Sequence, residues 1–164
     1  MAALAIAGCG GGGSNANANQ SAASTRQPTS PGGAATVNVR TTSLGKILVD
    51  SQGRTLYLFE KDTGSKSRCS GACASAWPPF RTSGKPKAGS GATASLVEAT
   101  TRSDGKPEVT YNGHPLYYYA GDQKAGDTNG QGLDAFGRGW DVVSPAGSKI
   151  EGSGSGSAST SRGY

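Results

Sequence analysis

The sequence predicts a mainly β domain built from two tandem copies of a β-hairpin repeat, with short helical turns in the long loops; an α+β arrangement is the alternative. Two observations carry this expectation. Gly53-Arg54-Thr55-Leu56-Tyr57-Leu58-Phe59-Glu60-Lys61-Asp62 returns sixty positions later as Gly113-His114-Pro115-Leu116-Tyr117-Tyr118-Tyr119-Ala120-Gly121-Asp122, with Gly, Leu, Tyr, an aromatic and Asp in register. Recurrence at a fixed spacing marks an internal duplication. The apolar residues also fall in short runs of strand length, separated by Gly, Asn, Asp and Pro.

Val37-Asn38-Val39-Arg40 alternates apolar and polar residues, as a half-buried strand does. Ile47-Leu48-Val49 is a second strand, and Asp50-Ser51-Gln52-Gly53 returns the chain into residues 56–59, so 47–59 is expected to be a hairpin. The second copy repeats the order with Leu96-Val97-Glu98-Ala99, a turn at Ser103-Asp104-Gly105, then Glu108-Val109-Thr110-Tyr111, Asn112-Gly113 and residues 116–119. Asn-Gly accepts the positive dihedrals of a two-residue turn at low cost, which makes 109–119 the stronger hairpin signal. Gly139-Trp140-Asp141-Val142-Val143 is the last strand, before Pro145.

Within each motif Tyr57 and Phe59 share one strand face and Leu56 and Leu58 the other, as Tyr117 and Tyr119 oppose Leu116 and Tyr118. Two apolar faces place these strands centrally, covered on both sides. Asp62 and Asp122 fall just past the strands, where a carboxylate can accept loop N–H groups or a Tyr hydroxyl. The loops that follow diverge, yet each ends on a tryptophan, Trp77 or Trp140; residues 72–77 suggest a short helix stopped by Pro78-Pro79.

The flanks differ in kind. Residues 1–8 are uncharged and apolar and end Ile6-Ala7-Gly8 before Cys9, which resembles a bacterial lipobox in which Cys9 becomes the lipidated N-terminus. The segment lacks a Lys/Arg start and is short, so the true start is expected upstream; it is also too short to span a bilayer. Residues 9–36 are Gly-, Asn-, Ala- and Ser-rich with Arg26 as their one charge, a flexible tether, and 147–164 is expected to be a disordered Gly/Ser tail. The duplicated domain then occupies 37–146, as copies of about 37–92 and 93–146.

The net charge of +5 is unevenly spread: 61–106 holds eight Lys/Arg against three Asp/Glu, and 108–141 holds two against five. Without aromatic residues interleaved among the cations, no nucleic-acid groove is indicated. Attraction to an anionic lipid surface or an acidic wall polymer is the better use of such charge. With Cys9 taken by lipid, Cys69 and Cys73 remain as a pair, expected to be oxidised outside the cytoplasm.

These residues resemble the bacterial secreted-repeat lipoproteins characterised by a Tyr-x-(Phe/Trp/Tyr)-x-x-Asp motif, a secreted repeat of unknown function. Residues 57–62 and 117–122 fit the motif, and Cys69-Ser70-Gly71-Ala72-Cys73 with Trp77-Pro78-Pro79, and Gly126-Asp127-Thr128-Asn129-Gly130-Gln131-Gly132, look like the same family. The resemblance covers about 44–145 and implies a lipid-anchored envelope protein.

Four constellations can be weighed for chemistry. One helical turn brings the α-carbons of Cys69 and Cys73 within disulfide range, for a structural bridge; with His114 the same pair could instead hold Cu(I) or act in thiol redox. His114 otherwise sits beside a turn as an exposed hairpin residue. No Ser lies in a Gly-x-Ser-x-Gly elbow, and no catalytic set is identified. Asp127, Asn129, Gln131 and Asp134 resemble the front of a calcium loop, but Arg138 stands where the bidentate Glu belongs, so no tight site is expected. The expected function is a non-enzymatic, cofactor-free envelope lipoprotein, an interaction or ligand-binding module held to the membrane by its lipid and facing an envelope protein, wall polymer or anionic lipid surface. The alternative is an envelope copper-binding or thiol-redox accessory using Cys69, Cys73 and His114.

Overall fold

The computed structural model describes residues 33–152, so the expectations for 1–8, for Cys9 and most of the tether, and for 153–164 lie outside the described residues. The elements are β1 (Thr36–Thr42), β2 (Gly45–Val49), β3 (Tyr57–Phe59), α1 (Ala72–Ala76), β4 (Lys87–Ala88), a 3-10 turn (Ala94–Leu96), β5 (Val97–Thr101), β6 (Pro107–Tyr111), β7 (His114–Pro115), β8 (Leu133–Ala135) and β9 (Arg138–Val142). The domain is mainly β, in three small sheets ordered β2-β1-β4, β3-β9-β8 and β5-β6-β7. Among the described residues no helix is long and apolar enough to cross a membrane.

The 109–119 hairpin forms at its turn: Thr110 pairs with Pro115 and Tyr111 with His114, around Asn112 and Gly113 at φ 48° and 78°. The 47–59 hairpin does not run its length. Its turn closes, with Asp50 N–H donating to Arg54 O at 2.9 Å and Leu56 N–H to Leu48 O at 3.1 Å. Beyond it β3 leaves β2 and pairs antiparallel with β9, Phe59 opposite Trp140. The aromatic side chains decide this, because only beside β9 does Phe59 stack on Trp140, with ring centroids 4.0 Å apart.

The other edge of β3 takes the second motif. Tyr57 N–H donates to Tyr117 O and Tyr117 N–H to Tyr57 O, both at 2.9 Å. Identical positions of the two copies thus face one another across a local two-fold relation, and β3 is central as its two apolar faces require. Those faces feed separate cores. Leu56, Leu58, Leu116 and Tyr118 join one with Val37, Phe80 and Val109; Tyr57, Phe59 and Tyr117 join the other with Trp77, Trp140, Cys69 and Cys73.

The folded domain continues past 147. Ile150 N–H donates to Val142 O at 2.9 Å, Ser144 N–H to Ser148 O at 2.8 Å, and Ile150 packs on the aromatic core. One apolar residue inside a Gly/Ser run is enough to continue the domain, since its burial rewards ordering the few residues around it. At the other end Ala35 is already buried, two residues before the expected start.

Candidate functional site

The two motif aspartates are exchanged between copies. The Tyr57 hydroxyl donates to Asp122 at 2.7 Å, and the Tyr117 hydroxyl donates to Asp62 at 2.8 Å. Each carboxylate also accepts a loop N–H ahead of it: Arg68 to Asp62 at 2.7 Å, Asn129 to Asp122 at 2.9 Å. Burial lifts both carboxyls above their ordinary range, Asp62 to about 6. Burial and then carboxylate neighbours hold both phenols far above the ordinary tyrosine range, so they remain protonated donors. The expected capping role is thus present, with its loop N–H bonds inside each copy and its hydroxyl bonds across the duplication, the latter being what a single copy's sequence has no means of showing.

The aromatic core is continuous between these clasps. Trp140 lies flat between Phe59 and Trp77, 3.9 Å from the latter at 4°. Gly130 fits here because a Cβ would come within 2.8 Å of Trp77, and its N–H reaches the Tyr57 hydroxyl at 3.3 Å. Cys69 and Cys73, on either side of the start of α1, form a disulfide and are both buried.

Behind Asp62 runs a polar network that sequence reasoning missed. Arg102 donates to Glu108 at 3.0 Å, to Ser67 at 2.8 Å and to Cys69 O at 2.5 Å, while Ser67 Oγ lies 2.6 Å from the Tyr117 hydroxyl. Glu108 is fully buried, and burial pushes its carboxyl up to about 8 against the pull of Arg102. Glu108 sits on a strand buried on both faces, where neither alternation nor spacing signals a buried acid. Its tie to Arg102 depends on the β5–β6 register, which pairs Thr100 with Glu108.

A cleft of about 540 Å³ opens between the copies. Leu58, Phe59, Glu60 and Asp62 line it from copy one; Asn112, His114 and Arg138 line it from copy two, with Ser148 and Lys149 from the segment first assigned to the tail. Its walls carry both charges: Lys149 Nζ lies 2.7 Å from Glu60, which is held below the usual carboxylate range first by that bond. Of the predicted site residues among those described, Asp62, His114 and Phe59 alone reach this cleft.

The metal sets are not assembled. The disulfide removes the thiolate pair required of Cys69 and Cys73, and among the described residues no group of three or more His, Cys, Asp or Glu is placed to hold a metal ion. Two side chains of the calcium-like loop are already engaged within the protein. Asp127 accepts the N–H groups of Gln123 and Lys124, and the Gln131 amide donates to Asp141 and Ile150 O and accepts from Val142 N–H. Asp134 is exposed on β8.

Residues 38–81 and 98–144 each match the family model described as a secreted repeat of unknown function. No curated protein and no solved structure matches the chain.

Proposed function

The chain belongs to the secreted repeats of unknown function, and from that premise we propose that it is a non-enzymatic, lipid-anchored envelope protein that works as a ligand-binding module through the cleft between its copies. The domain is extracytoplasmic, in keeping with its disulfide. The observation that carries the reading is the cleft itself: about 540 Å³, within the range of roughly 300–1,000 Å³ usual for ligand sites, with charged walls on a floor of β3. A binding site gains precision when its frame is fixed, and here the two Tyr–Asp clasps and the stacked tryptophans fix it. The motif carboxylates are engaged by hydroxyl and amide donors, which suits positioning rather than proton transfer. Anchoring is supported by Ile6-Ala7-Gly8-Cys9 and the tether composition.

A photo-crosslinking side chain at Asn112, on the cleft, tests this in living cells against the same group at the exposed Glu98. The expected result is an adduct specific to Asn112 whose added mass corresponds to the whole ligand, not to a fragment of it. Equal or no labelling at the two positions would overturn the reading.

A further inference from the structure

Two hairpin turns flank the cleft, and they differ in one respect. The first is Asn112-Gly113, at φ 48° and 78°; the second is Phe136-Gly137, at φ 60° and 90°. Asn tolerates the left-handed region because its short amide bonds locally, whereas a bulky aromatic is an outlier there. Phe136 is moreover 43% exposed, and it belongs to neither buried core. The two-residue turn between β8 and β9 sets that backbone, so what folding leaves unexplained is the choice of an exposed aromatic to occupy it. An aromatic held in a left-handed backbone conformation and turned to solvent beside a cleft points to recognition. The turn adjoins the cleft: Lys61, between the cleft residues Glu60 and Asp62, donates to Phe136 O at 3.2 Å, and Arg138 follows two residues later on the cleft wall.

We propose, resting on the binding-module reading, that the cleft and Phe136 together form a glycan-binding site, taking a hydroxyl-rich, near-neutral sugar chain with one ring stacked on the phenyl face. The cleft's charges select this class. Glu60 is compensated by Lys149, and Asp62 by the Tyr117 hydroxyl and Arg68 N–H. A polyanion would meet these two carboxylates, and a polycation would meet Arg138 and Lys149. Sugar hydroxyls accept from the cations and donate to the carboxylates, and the Asn112 amide offers both functions. The electron-rich ring face attracts the C–H groups of a pyranose, so an exposed aromatic beside mixed polar groups suits a sugar ring.

The full chain is titrated against a panel of neutral and amino-sugar oligosaccharides, and separately against phosphatidylglycerol vesicles, with thermal unfolding measured alongside. Saturable sugar binding is expected. Phe136→Asn, which suits the turn, should keep or raise Tm while weakening sugar binding at least about tenfold; Phe136→Trp should retain it, and Arg138→Gln should also weaken it. Unchanged sugar affinity in both Phe136→Asn and Arg138→Gln overturns the proposal, as does vesicle binding that depends on Phe136 in the absence of sugar binding. If no sugar binds while the Asn112 crosslink captures another ligand, the glycan assignment falls and the module stands; if neither occurs, both fall.

Discussion

The Tyr57 hydroxyl lies 2.7 Å from the carboxylate of Asp122, so copy one's tyrosine binds copy two's aspartate and not its own. Tyr57→Phe should cost about 1.5–3 kcal/mol, the range for a hydrogen bond to a charged group, and Tyr57→Ala about 3–5 kcal/mol. A double-mutant cycle separates the topology: Tyr57→Phe with Asp122→Asn should couple, whereas Tyr57→Phe with Asp62→Asn should be additive within roughly 0.5 kcal/mol. Coupling within a copy instead of between copies would refute the exchange.

Replacing Cys69 and Cys73 together by Ser should lower stability by on the order of 2 kcal/mol, because the bridge closes a short loop and restricts the unfolded chain only modestly. Both sulfurs are buried, so the native protein should resist reduction and yield free thiols only as it unfolds. Thiol titration with and without denaturant measures this.

Stability should rise on mild acidification. Glu108 titrates at about 8 in the fold against 4.5 ordinarily, and Asp62 at about 6 against 3.8, so the native state holds these protons more tightly than the unfolded chain. Their favourable contribution is complete below the unfolded values and is lost as pH climbs through the folded ones. Glu60 and Asp104, held low first by bonds to Lys149 and Lys106 N–H respectively, lose their contribution only below the ordinary carboxylate range. Tm near pH ~5 should therefore exceed Tm near pH ~8, and Glu108→Gln should flatten the slope. A rising Tm toward pH ~8 in the parent protein would contradict the protonated Glu108.

Lipidation at Cys9 predicts that labelled palmitate enters the protein and that Cys9→Ser moves it from the membrane to the soluble fraction, since stable anchoring relies on more than one acyl chain. Identical fractionation of parent and variant would remove the anchor from the proposal.

The 122–141 loop should show no micromolar calcium affinity by calorimetry, because Gln131 and Asp127 already bond within the protein and Arg138 stands at the position of the strongest ligand. Asp127→Ala should act on stability instead, through the lost caps on Gln123 and Lys124, at about 1 kcal/mol.

Much of the fold was legible because period-two alternation and turn chemistry are local. Leu56 and Tyr57 announce opposite faces by position alone, and Asn112-Gly113 announces its turn by composition. What stayed hidden is pairing. Nothing near residue 57 states that β3 will choose β9 over β2, since that choice depends on Trp140, eighty-three positions away. Ile150 was obscured by the Gly and Ser around it, and the cleft by its origin in four separate segments. Phe136 gives no signal in the sequence, because its informative property is a dihedral angle and not a side-chain pattern.

The reciprocal pair of backbone bonds between Tyr57 and Tyr117 has the form of an isologous contact, in which each partner offers the other the same surface. Between separate chains such a contact would weaken on dilution. Joined in tandem, each half keeps its twin at an effective concentration on the order of millimolar, so the domain stays assembled however dilute the protein becomes.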